Sequence, residues 1–154
     1  MKIKKNKYDI IISFLSLLCL VGTVVFLIIS WKTIPDEIPG HYSAAGEVDK
    51  VTDKSSLIVL LIVGWIIFIG LSVVEKFPQI WNTGVQVTEQ NKEKIYRILK
   101  TMIGTIKLLV VLMFSYLTLY STTGKSLSLL FMPVFLILMF GSVAFFIFQL
   151  VKDK

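Results

Sequence analysis

Residues 31–56 read WKTIPDEIPGHYSAAGEVDKVTDKSS, a long polar segment set between two apolar runs. It holds two of the four prolines, the only histidine and half of the acidic residues. On its N-terminal side, Ile10 to Ile29 is apolar for about 20 residues, which at about 1.5 Å per helical residue matches a hydrocarbon core of about 30 Å. On its C-terminal side a second such run extends from Leu57 to Val74. Two helices of membrane-crossing length joined by a long polar connection decide the fold class.

The rest of the chain repeats this pattern. Of 154 residues, 55% are hydrophobic and 17% charged, against about a quarter charged in a soluble chain. Lys2, Lys4, Lys5 and Lys7 precede the first run, as in a secretory signal. The run is longer than a signal core and no small-residue cleavage site follows it before Trp31, so it is expected to be a retained span. Ser16, Cys19, Thr23 and Ser30 recur beside Gly22 at helical spacing, a stripe that predicts close approach of another helix. Thr88 and Glu89 offer an N-cap and a first-turn acid. The one-faced spacing of Ile95, Leu99, Met102, Ile103 and Ile106 then predicts a helix that starts in water and enters the bilayer near Ile98. A short turn around Gly124 leads to a phenylalanine-rich span, with Gly141 and Ala144 as packing points and Pro133 one to two turns in, where it would kink the helix. The expected fold is an all-α integral membrane protein: a four-transmembrane-helix bundle with a structured extracellular loop between helices 1 and 2. It forms a single membrane domain over 1–154, with spans at about 10–30, 57–74, 98–120 and 127–150, an outer loop at 31–56 and a cytoplasmic loop at 75–97.

Charge sets the orientation. Eleven basic residues flank the spans on the side of the termini and the 75–100 segment, against four on the side of 31–56. The positive-inside rule places both termini in the cytoplasm of a bacterial cell membrane and the 31–56 loop outside, where its acids outnumber its bases by two. The net charge of +6 is spread over span ends rather than gathered in one patch, which suits lipid headgroups and argues against nucleic acid. Cys19 alone excludes an internal disulfide and a cysteine-based zinc site. No glycine-rich phosphate pattern occurs, and no cofactor is expected.

Within the loop, Pro35 and Pro39 hold Thr33 to Gly40 extended or turned, and Gly46 allows a positive φ after Ser43-Ala44-Ala45. A constrained loop on a helical bundle is a recognition surface in waiting. The order Pro35-Asp36-Glu37-Ile38-Pro39-Gly40-His41-Tyr42, followed by Gly46, Asp49 and Lys54, resembles the signature loop of an uncharacterised bacterial membrane domain. That domain also forms the N-terminal part of SdpI-type toxin-immunity proteins. Trp81-Asn82, Val85 to Glu89, Asn91 and Tyr96-Arg97 resemble the cytoplasmic segment of small single-domain relatives. In the full immunity proteins the resemblance implies self-protection against a secreted peptide toxin and membrane capture of a transcriptional repressor. Four spans would leave this chain without their further C-terminal membrane module.

The candidate residues are therefore Pro35, Asp36, Ile38, Pro39, His41, Tyr42, Gly46, Asp49 and Lys54, for loop architecture or recognition. His41, Glu47 and Asp49, with Asp36, are the side chains a metal would recruit, but one histidine falls short of a structural zinc set and the EF-hand pattern is missing. The competing reading is that His41 hydrogen-bonds a carboxylate and orders the loop. No catalytic constellation is expected, and the chain is read as a non-enzyme. Lys107 lies inside the third span, where a charge is either functional or reaches back along its own stem to the cytoplasmic interface; the latter is expected. Three functions stay open: an immunity-type or accessory protein whose outer loop recognises an extracellular peptide, toxin or envelope partner; a tether or sensor for a cytoplasmic repressor; and a small-solute transporter or channel lined by Ser16, Thr23 and Lys107. Oligomeric state is left open.

Overall fold

The computed structural model describes residues 3–152; Lys2 and Lys154, which enter the charge count, lie outside them. Among the described residues, four helices are long and apolar enough to cross a membrane: α1 (Lys7–Ser30), α2 (Ser56–Val74), α3 (Lys92–Ser121) and α4 (Phe131–Lys152). The chain is mostly helical, as the apolar runs require, but it is not all-α. Residues 31–56 fold into an antiparallel hairpin of β1 (Glu37–Tyr42) and β2 (Val48–Asp53). Pro35 and Pro39 bar a helix there, and the two extended segments pair their backbone groups with each other instead of leaving them unsatisfied.

The 30-residue helix α3 is the axis of the bundle: α1, α2 and α4 each pack on it, whereas α1 and α2 touch little. Its inward face carries Ile95, Leu99, Gly104, Lys107, Val111, Ser115, Thr118 and Ser121, spaced by three to five residues. The facing stripe of α1 is Ile12, Ser16, Leu20, Thr23 and Leu27. Ser16 and Thr23 are buried and turn their hydroxyls back to Ile12 O and Cys19 O, each at 2.8 Å, so this seam is packed rather than open. Gly22 and Gly141 have open space where a Cβ would stand and are not the points of close approach. That role falls to Gly64 and Gly104, whose added Cβ would meet Leu20 at 3.3 Å and Glu75 at 3.4 Å.

Two apolar clusters close the bundle ends. Leu27, Ile34, Ile38 and Leu57 form one beneath the hairpin. Ile95, Ile98, Leu99, Phe146 and Leu150 form the other, covered by Trp81, Val85 and Val87 of the connection between α2 and α3. That connection is folded: a 3-10 turn (Pro78–Ile80) leads into it, and Trp81 Nε1 donates to Val74 O at 2.8 Å. α3 is regular from Lys92, one turn after the expected start. Thr88 is not its N-cap: it exchanges hydrogen bonds with Asn91 in the turn before the helix (Thr88 N to Oδ1, 2.8 Å; Asn91 N to Thr88 Oγ1, 3.3 Å), and Asn91 stands at the N-cap position without a side-chain cap. α4 starts at Phe131, so Pro133 falls in its first turn, where the missing N–H has no helical partner to lose, and the expected kink has no cause. The outer helix faces stay apolar and exposed, as at Ile29, Ile137 and Phe140, a surface suited to lipid.

Candidate functional site

The hairpin brings the loop residues together and seats them on the bundle. Strand pairing runs Glu37 with Asp53, Ile38 with Thr52 and Pro39 with Val51, then slips, so that His41 faces Lys50 and Tyr42 faces Val48. Gly40 and Asp49 are the extra residues at these slips. A bulge re-aims the next side chain, and here the two together bring His41 Nδ1 to 2.6 Å from Asp49 Oδ1. Glycine is required at position 40, since a Cβ would lie 2.7 Å from Thr52 Cγ2. Ser43 holds the turn: its hydroxyl accepts from Ala45 N and Glu47 N, and its N–H donates to Glu47 O at 2.8 Å.

Several contacts clamp this unit. Ile38, 1% exposed, is its plug in the apolar cluster, and Pro39 is buried beside it. Leu127 N donates to Gly46 O at 2.8 Å, tying the turn to the segment before α4. Gly46 has φ +84°, and a Cβ there would stand 2.6 Å from Leu127 O. Tyr42 OH lies 3.2 Å from Ser121 Oγ at the end of α3, and burial pushes its phenol up from the ordinary value. Lys54 pairs with Asp36 at 2.7 Å, donates to Ile34 O and lies over the Trp31 ring. At the entry to α2, hydrogen bonds from Ser55, its hydroxyl before its N–H, hold the Asp53 carboxyl below the usual range. Ser55 itself makes no side-chain cap.

Pro35, Asp36 and Glu47 are exposed, and Glu47 does not join His41 and Asp49; among the described residues no three His, Cys, Asp or Glu side chains converge as a metal set. The His41–Asp49 pair stays open to solvent, its side chains 65% and 46% exposed. Beside it lies a cavity of about 460 Å³ between hairpin and bundle, walled by Pro39, His41, Tyr42, Leu117, Leu127 and Phe131.

Lys107 lies at the other end of the bundle, and it does not reach out along its stem. Its ammonium is buried, 2.8 Å from Glu75 Oε1, with Ser72 Oγ at 3.3 Å and Ser13 Oγ at 3.5 Å. Glu75, the first residue after α2, turns inward over Gly104, so the buried ammonium has a carboxylate to offset its lost hydration. Next to this pair, Asp9 closes a capping box with Asn6 at the start of α1 and accepts from Arg97 at 2.8 Å. Lys100 lies 3.6 Å from Asp9, and Arg97 also donates to Lys4 O. Reading the sequence missed Asp9, Glu75 and Gly104. Their signal was an acid at each edge of an apolar run and a glycine on the inward face of the lysine-bearing helix.

Four potential membrane spans joined by a clamped hairpin at one end and a buried ion-pair cluster at the other define a small multi-pass protein, built for contact with lipid. Residues 17–67, from α1 through the hairpin into α2, match a protein family described as a domain of unknown function (DUF1648). No curated protein matches the chain, and no solved structure does.

Proposed function

We propose that this protein is a single membrane domain of the bacterial cell membrane, with cytoplasmic termini and the hairpin outside. There it acts as an immunity-type or accessory protein, without enzymatic activity, whose hairpin recognises an extracellular peptide or envelope partner. The observation that carries the reading is the contrast within the hairpin. Ile38, Pro39 and Gly46 are buried to hold it, while His41 and Asp49 are left paired yet exposed beside a cavity with apolar walls. A rigid surface with one polar pair beside an apolar hollow suits an amphipathic peptide, because little ordering entropy is lost on binding. The likeness of the loop motif to SdpI-type immunity proteins agrees with this role, and the family match spans the same loop.

The experiment has two parts. In a Cys19→Ser background, Ala45→Cys should react with a membrane-impermeant thiol reagent in intact cells, and Gln86→Cys only after permeabilisation. A strain without the gene should become sensitive to membrane-active peptides and be restored by the wild type but not by His41→Ala expressed at equal level. Equal resistance with and without the gene sinks the immunity reading.

A second reading, a tether for a cytoplasmic repressor, draws on the folded connection between α2 and α3. There Trp81, Val85 and Asn91 form an ordered surface rather than a loose loop. Co-purification of a DNA-binding protein that is lost when residues 82–90 are replaced would favour it. The transporter reading has less support, since Ser16 and Thr23 sit in the packed seam and do not line the cavity that Lys107 borders.

A further inference from the structure

A cavity of about 520 Å³ opens where the N-terminal segment, the end of α2 and the first turns of α3 meet. Four lysines border it, Lys5, Lys76, Lys100 and Lys107, against the single carboxylate of Glu75. Lys107 and Lys100 are 1% and 7% exposed. The two acids of this region are already engaged: Glu75 holds Lys107 at 2.8 Å, and Asp9 holds Arg97 at 2.8 Å with Lys100 further off at 3.6 Å. Among the described residues neither Lys5 nor Lys76 has an ion-pair partner. Lys100 and Lys107 are withdrawn from water, where cations cost free energy unless anions offset them, and the exposed Lys5 and Lys76 add two further cations bordering the same half-open space.

We propose that this cavity binds a phosphate group, as the headgroup of an anionic lipid or as a free phosphate. Separate ammonium groups act as point charges and suit a tetrahedral oxyanion approached from several sides. Ser13 and Ser72 add hydroxyl donors on the cavity wall. Phe68 and Pro78 give the wall an apolar part, along which a lipid glycerol could lie. The cavity lies at the level where α1 begins and α2 ends, which is headgroup depth if these helices span the bilayer. The lipid source therefore rests on the membrane reading above; the phosphate chemistry does not.

The test is thermal unfolding of the full chain in an uncharged detergent, titrated separately with short-chain phosphatidylglycerol, short-chain phosphatidylcholine and inorganic phosphate. A saturable rise in Tm with phosphatidylglycerol but not phosphatidylcholine is expected. Lys5→Gln/Lys76→Gln, at exposed positions away from the ion pairs, should weaken it about ten-fold, by the affinity arithmetic of one to two lost charge contacts. Lys32→Gln/Lys125→Gln, with the same charge change at the hairpin end, should leave it unaltered. A rise with inorganic phosphate that shows the same variant pattern supports the site and assigns it to a free anion. No rise beyond that with phosphatidylcholine, or equal weakening by both double variants, overturns the proposal. Partition of the chain into the soluble fraction would sink the membrane reading alone, with the inorganic phosphate arm still readable.

Discussion

Lys107 and Glu75, 32 residues apart, meet at 2.8 Å between α3 and the end of α2, with the lysine 1% and the glutamate side chain 16% exposed. The pair adds a charged tie to two helices that already pack on each other and are joined by a folded connection. Around it, Ser13, Ser72 and the Phe68 ring complete the lysine's surroundings.

The first prediction concerns that pair. Removing one partner strands a buried charge, so Lys107→Met or Glu75→Leu should each cost about 3–5 kcal/mol. The double variant should recover most of the loss, because the packed seam accepts apolar volume. Denaturant unfolding in detergent micelles, read as a double-mutant cycle, measures this; additive losses would show that the two charges do not interact.

Gly46 and Gly84 share a positive φ, at +84° and +65°, but only Gly46 is crowded by another segment. Gly84→Ala should cost about 1 kcal/mol from backbone strain alone. Gly46→Ala should cost more, since it also displaces Leu127, and should expose the hairpin to limited proteolysis. Equal losses would mean that the tie between the hairpin and the segment before α4 is not structural.

His41 and Asp49 are both substantially exposed, so their contact should contribute no more than about 1 kcal/mol. His41→Ala and Asp49→Ala should therefore leave the melting transition nearly in place while removing peptide resistance. A large fall in melting temperature for both would assign the pair to loop architecture instead.

The hairpin also carries two groups whose protonation is tied to folding. Asp53 titrates below its ordinary value, so its contribution is present above that value and fades as pH falls through the folded one. Tyr42 titrates above its ordinary value of 10.0, so its contribution is present below that pH and fades as pH rises through the folded value. Hairpin protection from proteolysis should thus be greatest between these limits. Tyr42→Phe should abolish the alkaline limb and cost about 1 kcal/mol through the lost Ser121 contact. An unchanged alkaline limb in Tyr42→Phe would count against this assignment.

Much of the architecture is decided locally. Runs of about twenty apolar residues have one stable conformation away from water, so the four helices, their approximate ends and the continuity of α3 follow from residue order alone. Pro35 and Pro39 likewise restrict the backbone wherever they occur and Gly46 permits a positive φ, and together they marked residues 31–56 as a shaped segment. Only the tertiary structure decided what that segment pairs with. The two single-residue slips, one on each strand, accompany Gly40 meeting Thr52 and Leu127, 81 positions beyond Gly46, closing over the turn. It also decided the surroundings of Lys107. Burying or exposing a lysine turns on whether a carboxylate arrives from another helix, and nothing in the local pattern of α3 records that Glu75 does. Spacing along one helix reports which face is apolar; the partner a charge finds is set by how the helices pack.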